Sequence, residues 1–217
     1  MNALINYVVR PYYVGSNRQP TFVGFMGLLG IYLLTAFFLG FLQVVVCHLF
    51  GIVRKALDLS LIDRLILVVL MAPVYEEILF RSLLKIRRIN ALIFVLVLSG
   101  LILFSFIHSK TAYVIAFSVV LTAFFCVLVL LKEAQVKSFV EKYFAYLFYI
   151  SALSFGLLHS NNFTGETWKL ITFSFVLGGP QILLGIILGY VRVNYGLFYS
   201  ILFHAIINSA VIFVHGG

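Results

Sequence analysis

The chain is poor in charge. Of its 217 residues only 10% are Asp, Glu, Lys or Arg, against about 25% in soluble domains. So little charge cannot cover a water-facing surface, which excludes a soluble globular fold. Acidic residues are the scarcest, seven against fifteen Lys and Arg, for a net charge of +8. There are two cysteines, Cys47 and Cys126. Two cysteines so far apart exclude a disulfide framework and a CxxC metal knuckle. No Pro-, Gly- or Ser-rich linker, low-complexity tract or clear repeat divides the chain, and the longest water-soluble loop is about a dozen residues. There is also no short apolar segment followed by a small-residue cleavage site; the first apolar run is too long for a signal peptide.

What fills the chain instead is apolar sequence: 63% hydrophobic residues and a mean hydropathy of +1.14. This predicts an integral membrane protein with a single membrane domain over 1–217. After a polar, aromatic lead-in at 1–21, apolar runs lie near 22–50, 62–84, 90–108, 111–131, 143–163, 170–191 and 197–214. Each is long enough to cross roughly 30 Å of hydrocarbon as a helix. Unbroken runs do not alternate as barrel strands must. The expected fold is therefore all-α, a polytopic bundle of about seven transmembrane helices. Pro73 and Gly178-Gly179-Pro180 are expected to break two of them.

The positive charge flanks apolar runs, as in KIRR at Lys85–Arg88. That is the pattern of cytoplasmic loops and not of nucleic-acid binding. Threading the runs with the N-terminus inside puts Arg10, Arg18, Lys85, Arg87, Arg88, Lys132, Lys137, Lys142 and Arg192 on the inner side. Arg54, Lys55, Arg64, Lys110 and Lys169 fall outside. The bias predicts an inside N-terminus; the expected location is a bacterial cytoplasmic membrane.

Against this background the stretch APVYEEILFRSLL at Ala72–Leu84 stands out. Glu76 and Glu77 are the two acidic residues within a span, and an intramembrane ionisable residue is by default a candidate functional residue. Glu77 and Arg81 are four apart, so they share a helical face and can pair. Glu76 is rotated by about 100° and faces something else. Further on, His159 ends FGLLH, and His204 and Asn208 lie four apart in HAIIN. One carboxylate, two imidazoles and a carboxamide in separate spans suit hydrolysis of a peptide bond. The carboxylate can serve as general base toward water and a histidine can orient that water. A second histidine and an asparagine can donate to the developing oxyanion. The same inventory can also be a packing network, or two His and a Glu holding zinc with an open fourth position. HExxH is absent. The residue types alone do not choose among these.

E-E-x-x-x-R at Glu76–Arg81, F-x-x-x-H at Phe155–His159 and H-x-x-x-N at His204–Asn208 resemble, in order, the motifs of the CPBP intramembrane proteases. That family includes type II CAAX prenyl proteases and bacterial Abi or bacteriocin-immunity proteins. The glycine-containing run GIILGYVRVNYGLFYSILFH before the last motif is similar too, and the resemblance covers roughly 61–212. It implies an intramembrane endopeptidase acting on a membrane-embedded or lipidated peptide within the bilayer. Glu76 would be the catalytic glutamate, His159 its partner on water, and His204 and Asn208 the oxyanion site. Glu77 and Arg81 would be supporting. A zinc ion, if one is used, would sit on Glu76, His159 and His204. A second F-x-x-x-H at Phe104–His108 departs from the pattern. With His159 as the site residue, about 91–142 reads as an inserted helix pair. Two alternatives come from other classes. One is a non-catalytic binding or immunity protein using the same polar cluster; the other is a small proton-coupled transporter, for which no inverted repeat is visible.

Overall fold

Within an apolar run only a helix satisfies every backbone N–H and C=O. In the computed structural model the regular structure among the described residues is accordingly helical apart from one two-residue strand pair. It describes residues 2–15, 17–56, 59–85, 88–107, 111, 115, 118–123 and 132–215. His108, Cys126 and most of the run expected at 111–131 lie outside the described residues.

The lead-in is more structured than expected. It contains helix α1 (Asn2–Val9), whose Tyr7 is buried against Phe148 and Tyr190 and donates to the Tyr12 carbonyl at 3.0 Å. Helix α2 (Phe22–Phe50) starts where Thr21 Oγ1 accepts from the Gly24 N–H at 3.1 Å. It stops at Gly51, whose φ of 64° is a left-handed conformation that glycine adopts without strain. Strand β1 (Val53–Arg54) pairs antiparallel with β2 (Phe163–Thr164).

Helix α3 (Leu61–Asp63), capped by Ser60, runs into a π-helical stretch over Arg64–Met71 and then into α4 (Ala72–Arg81). The π stretch ends for a covalent reason. Its last bond runs from the Ala72 N–H to the Leu67 carbonyl, five residues back. The next bond in that register needs an N–H at Pro73, and proline has none. Helix α5 (Arg88–Ile107) follows a 3₁₀ turn at Ser82–Leu84.

Residues 133–142, expected as a loop, form α6 (Glu133–Lys142). It precedes α7 (Phe144–His159), and the two meet at 77°. The expected span at 170–191 is divided: α8 (Thr167–Thr172), α9 (Ser174–Leu177) and α10 (Gly179–Asn194) break at Phe173 and at Gly178. Helix α11 (Leu197–His215) completes the described fold.

Among the described residues α2 alone is long and apolar enough to cross a bilayer unaided, and the α6–α7 pair qualifies if counted as one bent span. Of the seven expected spans, those at 62–84 and 170–191 are divided by breaks and by π or 3₁₀ turns, those at 90–108 and 197–214 are single helices over their described residues, and most of 111–131 lies outside the described residues. The apolar surface is nevertheless turned outward. Phe37, Phe38 and Phe41 on α2, and Phe198 and Phe213 on α11, are all more than 60% exposed. A surface of this kind suits lipid.

The centre is α10 packed on α7, and small residues bring the two backbones together. A Cβ built on Gly156 would lie 2.6 Å from the Ile182 backbone nitrogen, and one on Gly185 would lie 3.0 Å from the Ala152 Cα. Around this crossing Phe155, Leu184, Ile187, Leu188, Val191, Phe203 and Ile207 form the core.

Candidate active site

Helix α4 carries Glu76 and Glu77 on different faces, and burial separates them. Glu77 is fully buried, whereas the Glu76 side chain is 27% exposed. Four residues on, Arg81 is also fully buried, with Nε 3.8 Å from Glu77 Oε2. Arg81 Nη2 points to the Gly185 carbonyl at 3.5 Å, and its Cζ lies 4.6 Å from the centre of the Phe155 ring. Arg81 Nε and Nη1 have no hydrogen-bond acceptor among the described residues. The guanidinium is held by the neighbouring charge and by the aromatic face.

Glu77 does more than pair with Arg81. Its Oε1 lies 3.2 Å from His204 Nδ1, and its Oε2 accepts from the Ser200 hydroxyl. Sequence reading missed both contacts. The available signal was the spacing on α11, where Ser200, His204 and Asn208 recur every four residues and so share one face.

Glu76 faces the two imidazoles. His204 Nε2 is 3.5 Å from its Oε2, and His159 Nε2 is 3.9 Å from its Oε1. His159 reaches this position from the last residue of α7. Beyond it a single 3₁₀ turn at Ser160–Asn162 leads into β2. The ring is fixed from behind. His159 Nδ1 sits 2.7 Å from the Phe155 carbonyl, and a carbonyl only accepts, so the proton is on Nδ1 and Nε2 is the nitrogen turned to Glu76. Phe155, completely buried, is the wedge of the site: its ring lies 4.6 Å from the His159 ring and 5.6 Å from the His204 ring.

Arg81 offsets Glu77, and two imidazoles face Glu76. His204 has a carboxylate oxygen beside each ring nitrogen, Glu77 Oε1 at Nδ1 and Glu76 Oε2 at Nε2. Asn208 is placed elsewhere: its Nδ2 donates to the Val68 carbonyl in the π stretch at 2.8 Å. Among the described residues no three His, Cys, Asp or Glu side chains gather as a metal-ligating group. As placed, Glu76, His159 and His204 are not gathered as a metal centre.

These observations define a class: a helical membrane protein with a glutamate–histidine cluster that is buried at Glu77 and His204 and partly exposed at Glu76 and His159. A family comparison is more particular. Residues 134–210 match the family model described as type II CAAX prenyl endopeptidase Rce1-like, the group that the sequence motifs resemble. No curated protein and no solved structure matches the chain. The matched segment carries His159, His204 and Asn208. Glu76, Glu77 and Arg81 lie outside it, and the fold brings them to it through α4.

Proposed function

We propose that the chain is an intramembrane endopeptidase that hydrolyses a peptide bond of a lipidated or membrane-embedded peptide with a glutamate-activated water. One observation carries the reading: the two oxygens of the partly exposed Glu76 are met by the Nε2 atoms of two separate histidines. The gap of 3.9 Å between Glu76 Oε1 and His159 Nε2 is too long for a direct hydrogen bond. It is the right size for a water about 2.8 Å from each. Both neighbours are acceptors, so that water would donate both hydrogens and present its lone pairs to the substrate.

Attack forms the C–O bond at the scissile carbonyl and moves the C=O electron pair onto oxygen. Glu76 takes the water's proton while the oxyanion accepts from His204 Nε2–H. Collapse breaks the C–N bond, and Glu76 returns the proton to the leaving nitrogen. Glu77 keeps His204 oriented, and Arg81 offsets the charge of Glu77 in the core. The Rce1-like match over α6–α11 supports a CAAX-type tail as the substrate class.

The test is cleavage of a fluorescent, lipidated peptide by purified protein in liposomes. Glu76→Gln, isosteric but unable to accept the proton, is expected to abolish turnover while leaving the folded protein intact. Turnover at the wild-type rate in Glu76→Gln would exclude the mechanism.

A further inference from the structure

Pro73 creates a gap that one side chain fills. In the π register the Val68 carbonyl should accept from the N–H of residue 73, five positions on. That residue is proline, and the neighbouring Ala72 N–H is already engaged with Leu67. The π-register donor to Val68 is therefore missing. A backbone carbonyl without a donor inside a bilayer is strongly unfavourable. Asn208 Nδ2 supplies the bond at 2.8 Å from α11.

The location of this bond is what gives it a consequence. Pro73 is three residues before Glu76 on α4, and Asn208 is four residues after His204 on α11. One bond thus ties the π stretch that precedes the glutamate to the helix that carries the histidine. The Glu76–His204 separation of 3.5 Å spans the same two elements.

We infer that Asn208 is a positioning residue: its carboxamide closes the carbonyl that Pro73 leaves open and so holds Glu76 against His204. This rests on the endopeptidase reading for its catalytic consequence but not for the bond itself. It departs from the oxyanion role that the resemblance implies for Asn208.

The inference has a compensating test. Asn208→Leu keeps the side-chain volume and removes the donor. Pro73→Ala restores a backbone N–H at the position Val68 requires. In the native Pro73 background, Asn208→Leu is expected to lower kcat by about 100-fold, the scale of an ångström-sized misplacement of reacting groups, with KM unchanged. It is also expected to lower the Tm of the detergent-solubilised protein by about 3 °C or more. In the Pro73→Ala background the same substitution should cost little in either readout, with kcat regained to within about threefold of that background. Equal losses of Tm in both backgrounds would overturn the inference. So would a recovered Tm with kcat still lost, which would assign the asparagine to the substrate. The Tm cycle needs no turnover, so it decides the matter even if the wild-type protein cleaves no peptide. The endopeptidase reading would then fail separately.

Discussion

Replacing Gly156 by alanine tests whether the α7–α10 crossing sets the geometry of the site. A Cβ at 156 would lie 2.6 Å from the Ile182 backbone nitrogen and 2.8 Å from its Cα. The first is about 0.8 Å short of the 3.4 Å at which ordinary contact begins. These atoms are backbone within the helical run that follows Pro180, so no side chain can rotate out of the way and α7 must back away as a unit. Overpacking of this kind costs about 1–3 kcal/mol. His159 is three residues further along the same helix, so its Nε2 should move from Glu76 by a comparable distance. Misplacement on that scale lowers turnover by about 100-fold. Peptide cleavage in liposomes and thermal unfolding in detergent measure the two effects. Gly27→Ala, on the open face of α2 where a Cβ meets nothing within 4 Å, is the control and should leave both unchanged. Wild-type turnover in Gly156→Ala would refute the reasoning, because it would mean that the helix can shift by most of an ångström without disturbing the histidine.

Three further outcomes follow from the same contacts. Ser200→Ala removes a buried hydroxyl donor to the Glu77 carboxylate and should cost about 2 kcal/mol; if His204 orientation bears the whole loss, kcat falls roughly thirtyfold, as steady-state kinetics would show. Arg81→Leu strands Glu77 as an unpaired buried charge and should destabilise by about 3–5 kcal/mol. Adding Glu77→Met should restore the unfolding temperature but not turnover, since His204 has then lost its carboxylate. Cleavage should survive EDTA and 1,10-phenanthroline, because no metal-ligating group is gathered among the described residues; loss on chelation with recovery on zinc would instead assign Glu76, His159 and His204 to a metal.

How much of this was legible in the sequence depended on the range of each interaction. The Glu77–Arg81 proximity is a four-residue spacing and could be read directly. The helix starting at Gly179 was signalled by Gly-Gly-Pro, and the end of α2 lies at a glycine. The π stretch was not legible: RLILVVLM is uniformly apolar after its arginine, so it carries no period from which a change of register could be detected. Nor was α6 separable from a loop by hydropathy, since EAQVKSFVEK is mostly polar and only Val136 and Val140 on it are buried. Lys85, read from its charge as part of a basic flank, is 3% exposed and donates a hydrogen bond to Asn17, a contact the sequence does not signal. Contacts of that sequence separation leave no local trace.

The same limit explains why two adjacent glutamates looked interchangeable until the fold separated them. Neighbouring positions on a helix point about 100° apart, so in a packed bundle one can be wholly interior while the other lines a cleft. An interior carboxylate persists only if its charge and its lone pairs are all met. Glu77 meets that condition with Arg81, Ser200 and His204, one partner from its own helix and two from α11. The pairing with Arg81 therefore does not exhaust its role. It leaves an anion on which an imidazole can be anchored, and that imidazole reaches across to Glu76. A Glu77 paired with Arg81 alone would leave His204 free to rotate, and an Arg81 facing an uncharged residue would be an orphan cation in the core. The adjacent carboxylates are thus one device: the buried one fixes the histidine, and the histidine and His159 together define where the exposed one can hold a water.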